Sequence, residues 1–186
     1  MKTREDAKKL LYEWISSESL RRHCLGVAAC MEAYAKKFDE NSDKWWITGL
    51  LHDFDWEKFP DIDKHPIEGC KKLREEGYDE DIIEAILGHN PKTGIPRRSL
   101  MAKTLFAVDE LSGLVFALAK VRPGNFEGMS AKSVKKAMKK KDFAAAINRG
   151  DINLGIEEMN VDRDEHFMLV VKALNSIKVE LGLGNS

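Results

Sequence analysis

The sequence predicts an all-α domain. Apolar residues recur at helical spacing through most of the chain, and nowhere does a long β-branched run alternate with period two. Its 186 residues suit one domain, 1–186, with room for a substantial core. Hydrophobic residues at 43% and charged residues at 33% argue against wholesale disorder.

Each element has a local reason. Thr3 with Asp6 is the signature of a capping box opening a first helix. In "ESLRRHCLGVAACMEAYAKKF", Leu20, Cys24, Val27, Met31, Tyr34 and Phe38 step by four and three along one face. Asn41 or Ser42 can cap a third helix through "KWWITGLLH". Gly77 can end a helix over "PIEGCKKLREE", and Asp79 can start "EDIIEAILGH". "SLMAKTLFAVDELSGLVFALAKV" is apolar on nearly every side, which predicts a buried central helix. Ser130 can cap another, and "DEHFMLVVKALNSIKVELGL" reads as a C-terminal helix packing on the rest. "HNPKTGIPRRS" and "VRPGNFEGM" are the clearest loops.

The formal net charge of -1 points to no specific nucleic-acid partner. Charge is unevenly placed: "AKSVKKAMKKK", residues 131–141, holds six lysines, while Asp151 to Glu165 is mainly acidic. Solvated helix faces are the ordinary reading, a docking patch the other. Cys24, Cys30 and Cys70 form no C-x-x-C and suggest no disulfide framework. The charged N-terminus lacks an apolar signal core, and no run of 18 or more apolar residues exists. The expectation is a cytoplasmic protein without membrane spans; its oligomeric state is not written in the sequence.

The chemistry lies in the histidines. His23 shares the inward side of its helix, and Gly26 beside it leaves room for something bulky. His52 and Asp53 stand side by side in "LLHDFDWEKF". His65 opens "HPIEG", and His89 follows Ile82 and Ile86 on an apolar face. His166, among acids, reads as a surface or packing residue. Asp109 sits in "LFAVDELSG", where an ionised carboxylate is costly to bury unless a cation or metal pairs with it. Taken singly, His23 is more simply a core histidine and His65 a cap. Taken together, imidazole and carboxylate donors on inward or terminal helix positions suit a bundle-core site for Mn, Fe, Co, Ni or Zn. Lys58, Lys92, Arg97, Arg98, Lys103 and Arg122 are candidate fixed cations for an anionic ligand of such a site. Trp45, Trp46, Phe54 and Trp56 crowd the His-Asp pair and read mainly as core. No glycine-rich phosphate loop or G-x-S-x-G elbow is present.

The ordered series His23, His52-Asp53, His65, His89, Asp109 resembles the HD superfamily of metal-dependent phosphohydrolases. "RRHCLGVA", "GLLHDFDWEK", "HPIEG", "ILGHNPKTGIP", "AKTLFAVDELSGLV" and "FAAAINRGDI" look like its small single-domain HDIG-type members, over a core of residues 18–155. The resemblance implies a helical bundle holding one metal through His23, His52, Asp53 and Asp109, with a second at His65 and His89. It implies hydrolysis of a small phosphate ester, a nucleotide foremost, by a metal-activated water. His52, Asp53, Lys58 and Lys103 would be catalytic. His65, His89, Arg97, Arg98 and Arg122 would meet the substrate. The family often follows His-Asp with Ile-Gly-Lys; here "FDWEK" shifts the lysine to Lys58. A metal- or nucleotide-binding signalling protein without turnover, and a di-iron oxygenase, are the rival readings.

Overall fold

The structure, a computed structural model, describes residues 2–184. Side-chain caps set most helix starts. α1 (Arg4–Trp14) opens on the reciprocal Thr3–Asp6 capping box. Ser17 caps α2 (Glu18–Phe38), and Asn41 rather than Ser42 caps α3 (Ser42–Leu51). α4 (Ile67–Glu75) leads to Gly77, whose φ of +78° turns the chain into α5 (Glu80–His89). The expected loop after His89 contains a 3₁₀ turn, Pro91–Thr93. Ser99 caps α6 (Leu100–Lys120), Ser130 caps α7 (Ala131–Lys139), Asn148 caps α8 (Arg149–Met159) and Asp162 caps α9 (Arg163–Ser176). The described residues contain no strand. None of their helices is long and apolar enough to cross a membrane.

α6 is the central helix that its composition predicts. Leu105, Ala107, Val108, Leu111, Leu114 and Val115 are wholly buried, and the helix packs against α2, α5, α7, α8 and α9. One buried apolar cluster runs from Ala7 in α1 to Leu181 beyond α9. Two close backbone approaches fix the frame of the site. A Cβ on Gly49 would lie 2.8 Å from the Ala28 Cα, so only glycine lets α3 press this closely on α2. A Cβ on Gly155 would lie 2.5 Å from the Ala107 Cα, which seats α8 against α6 close to Asp109.

Two sequence expectations change. The C-terminal helix stops at Ser176; the chain then turns so that Leu181 is buried while Val179 stays exposed. The room beside Gly26 is taken by Leu174 of α9, 3.0 Å from where a Cβ would be. Of the two ordinary readings of His166, surface or packing, burial selects packing. Its Nδ1 accepts from the Tyr34 hydroxyl and its Nε2–H donates to the Ala107 carbonyl at 3.2 Å. All three cysteines are free and buried. Burial, then the charges of Asp53 and Asp109, push the Cys24 thiol far above its usual range, so it is no nucleophile.

Burial pulls His166 down from its ordinary value of 6.5 to about 4. Unfolding restores the ordinary value, so the unfolded chain binds the extra proton between these two values. Stability therefore falls as pH drops from about 6.5 to about 4, by up to about 3 kcal/mol from this group. Urea midpoints at pH 7 and pH 5 should show this loss, and His166→Gln should flatten the difference. An equal loss in the variant would assign it to other groups.

Candidate metal centre

Four helices and one turn deliver the site. α2 supplies His23 and α6 supplies Asp109, both partly exposed. His52 keeps helical angles as the C-cap of α3, and the chain then tightens into turns carrying Asp53, Asp55 and His65. His89 is the last residue of α5.

These side chains form two trios of potential metal donors, His23 with His52 and Asp109, and Asp53 with His65 and His89. Within each trio the donor atoms lie within 4.8 Å of one another. The two rings of each trio face each other through Nε2 at 3.2 Å. Asp109 Oδ1 stands 3.0 Å from His23 Nε2 and 3.4 Å from His52 Nε2. Asp53 faces both groups. Its Oδ2 is 3.6 Å from His23 Nε2 and 3.4 Å from His52 Nε2, while its Oδ1 is 3.1 Å from His65 Nε2 and 3.3 Å from His89 Nε2.

The outer ring nitrogens are already committed. His52 Nδ1–H donates to the Gly49 carbonyl at 2.8 Å, and His89 Nδ1–H donates to the Ile86 carbonyl. His65 Nδ1–H donates to Asp55 Oδ1 at 2.6 Å. These acceptors have no proton to give, so each ring turns Nε2 inward as the available donor atom. Asp55 is itself fully buried, and its Oδ2 accepts the Gly69 amide at 2.8 Å. A Cβ on residue 69 would lie 2.7 Å from the Asp55 Cγ, so the contact requires glycine.

The electrostatics call for positive charge at the centre. Burial opposes a charged His52, but Asp53 and Asp109 hold it well above the imidazole range. Burial likewise opposes a charged His65, yet Asp53 and Asp55 lift it to about 9. Burial would raise both inner carboxylates; His52 first, then the other rings, keep Asp53 and Asp109 well below the usual range. Protonated rings meet that demand in part. Divalent cations meet it fully, with the rings deprotonated as ligands. The donor set of imidazole and carboxylate therefore fits transition metals.

A cavity of about 220 Å³ opens over the cluster. Trp56, Ile62, Pro91 and Phe106 wall it, and Glu110 and Asp151 join the two inner aspartates as its acids. Burial and the neighbouring Asp109 hold Glu110 up to about 7. The Asn90 amide donates to the Ile62 carbonyl at 2.9 Å and the His65 carbonyl at 2.6 Å, tying the mouth together.

The structure brings together all six residues expected to bind metal, but no expected cation lines the cavity. Lys58 is exposed, its Nζ 3.7 Å above the Trp14 ring. Arg97 pairs with Glu158 through two contacts of 2.7 and 2.6 Å and lies over the outer Phe106 ring. Lys103 is half-buried on α6, where its charge helps hold Glu158 ionised. Arg122 closes its own loop through the carbonyls of Asn125 and Glu127. Lys92 and Arg98 are exposed. Trp45, Trp46 and Phe54 are core, whereas Trp56 edges the cavity with its ring perpendicular to His65. The sequence reading missed Asp55 as the partner of His65, and missed Glu110 and Asp151 altogether. Only the spacing "HDFD" hinted at the first.

The HD domain family model matches residues 20–114, the stretch that holds all six candidate ligands. No curated protein and no solved structure matches the chain. With that match covering half of its length, the chain belongs to the HD domain family, whose superfamily is that of metal-dependent phosphohydrolases.

Proposed function

We propose that this protein is a two-metal phosphohydrolase acting on a small phosphate monoester. The observation that carries this is the division of Asp53, with one oxygen toward each pair of rings. That division lets one carboxylate serve both groups of rings. His23, His52 and Asp109 would hold one ion, His65 and His89 the other, and Asp53 both. Divalent ions held there would supply an activated water and neutralise phosphoryl charge.

The chain's own residues do the rest. The Asp55–His65 bond orients that ring and strengthens it as a donor. Glu110, whose carboxyl is held above its usual range by burial, lines the same cavity and would give a proton to the leaving oxygen. Trp56 and Phe106 offer apolar surface to a flat leaving group such as a nucleobase. The cavity is smaller than the roughly 300–1,000 Å³ of drug-sized sites and has no lysine or arginine in its lining. Both features favour a single phosphate over a polyphosphate chain, and so a nucleoside monophosphate over a triphosphate.

Titration of the apo protein with Mn²⁺ or Co²⁺ tests the centre. Two ions per chain are expected for the wild type and one for His65→Ala, with Asp53→Ala losing affinity for both. No uptake by the wild type would end the proposal. Asp55→Asn should weaken the second ion by about 10–100-fold while the helical spectrum holds; unchanged affinity would remove Asp55 from the support of the site. With metal loaded, kcat/KM for nucleoside monophosphates should exceed that for triphosphates by at least about tenfold, about 1.4 kcal/mol. The reverse order would overturn the charge argument.

A further inference from the structure

A second cavity, of about 350 Å³, lies among α7, α8 and the start of α9. Its lining includes Lys135, Lys139, Arg149 and Arg163, no acid, and no residue of the metal cavity. Met138 and Phe167 supply its apolar part. On α8, Arg149 and Asn153 are four residues apart and share a face, while Asp151 points the other way into the metal cavity. One helix therefore separates a basic chamber from an acidic one.

The cations here are positioned and poorly neutralised. Arg149 is half-buried and has no carboxylate partner among the described residues. Its guanidinium is held only by carbonyls: Nη1 donates to Ala144 at 2.7 Å and Ile147 at 2.8 Å, and Nη2 donates to Lys140 at 3.2 Å and Phe143. Its Nε is buried without any hydrogen-bond partner. Such a group in partial burial is costly without a counter-charge. Arg163 gives one nitrogen to Asn153 Oδ1 at 2.7 Å, which turns the Asn153 amide into a free donor. Lys139 is exposed, and of the four cations only Lys135 has a carboxylate partner among the described residues, Asp164. An ordinary solvated lysine face needs neither the cavity nor a fixed arginine behind it.

We propose that this chamber is a binding site for a small phosphorylated molecule, separate from the metal centre. The phosphate would meet Lys139, Arg163 and the Asn153 amide within the field of Arg149, with its apolar part against Met138 and Phe167. The volume lies within the roughly 300–1,000 Å³ typical of small-molecule sites. Charge-assisted hydrogen bonds from ammonium and guanidinium groups give the preference for a dianion.

The test is calorimetric titration of the full-length protein with phenyl phosphate. Two forms, the chelator-stripped wild type and Asp53→Ala, exclude binding through metal. One site per chain is expected in both. Lys139→Glu, at an exposed position, and Arg163→Gln should each weaken it by at least about tenfold, with melting curves confirming the fold. Absence of binding in both metal-free forms would overturn the site, as would equal affinity in both charge variants. Duplex DNA binding through these lysines while phenyl phosphate does not would also overturn it, assigning the face to a polyanion. None of these outcomes depends on turnover at the metal centre, so the two proposals fail separately.

Discussion

The carboxylate of Asp53 among four imidazoles is the contact on which the site turns. It draws together residues from α2, the end of α3, the following turns and α5. A buried carboxylate is costly without opposite charge on every exposed lone pair. Here each oxygen has two rings within reach, and Asp109 shares two of the same rings. The tight crossing of Gly49 on Ala28 follows from this need: His52 cannot reach His23 unless α3 lies close on α2.

Control of the rings passes outward from the donors. His52 and His89 are oriented by carbonyls three residues earlier in their own helices, at Gly49 and Ile86. That is a local, helix-end solution. His65 lies outside any helix and relies on Asp55, which in turn relies on the backbone of Gly69. The same ligand chemistry is thus secured in two ways, one by helix geometry and one by a tertiary relay.

Much of this was legible in the sequence because it is local. Caps at Thr3, Asn41 and Ser130 follow from short-range hydrogen bonding, and the inward histidines follow from helical period. The cations were misplaced because their partners are remote. Trp14 lies 44 positions before Lys58, and Glu158 lies 61 positions after Arg97. No spacing rule announces either pair. The early stop of α9 was hidden for the same reason: burial of Leu181 depends on a turn that periodicity does not encode. Asp55 reads as one more charged residue until the fold sets Gly69 beside it.

The two bonds from the Asn90 amide restrain the cavity mouth. They join the turn that ends in His65 to the segment that follows α5, at the cavity mouth. The glycine-tight crossings of α2 with α3 and α6 with α8 leave little freedom in the helices themselves. The two irregular segments are thereby coupled through one side chain, so neither can shift at the mouth without straining or carrying a bond of the other. Trp56, Ile62 and Pro91 line the entrance from irregular backbone, whereas Phe106, Glu110 and Asp151 line it from α6 and α8, so one bonded pair of turns faces a wall of helix.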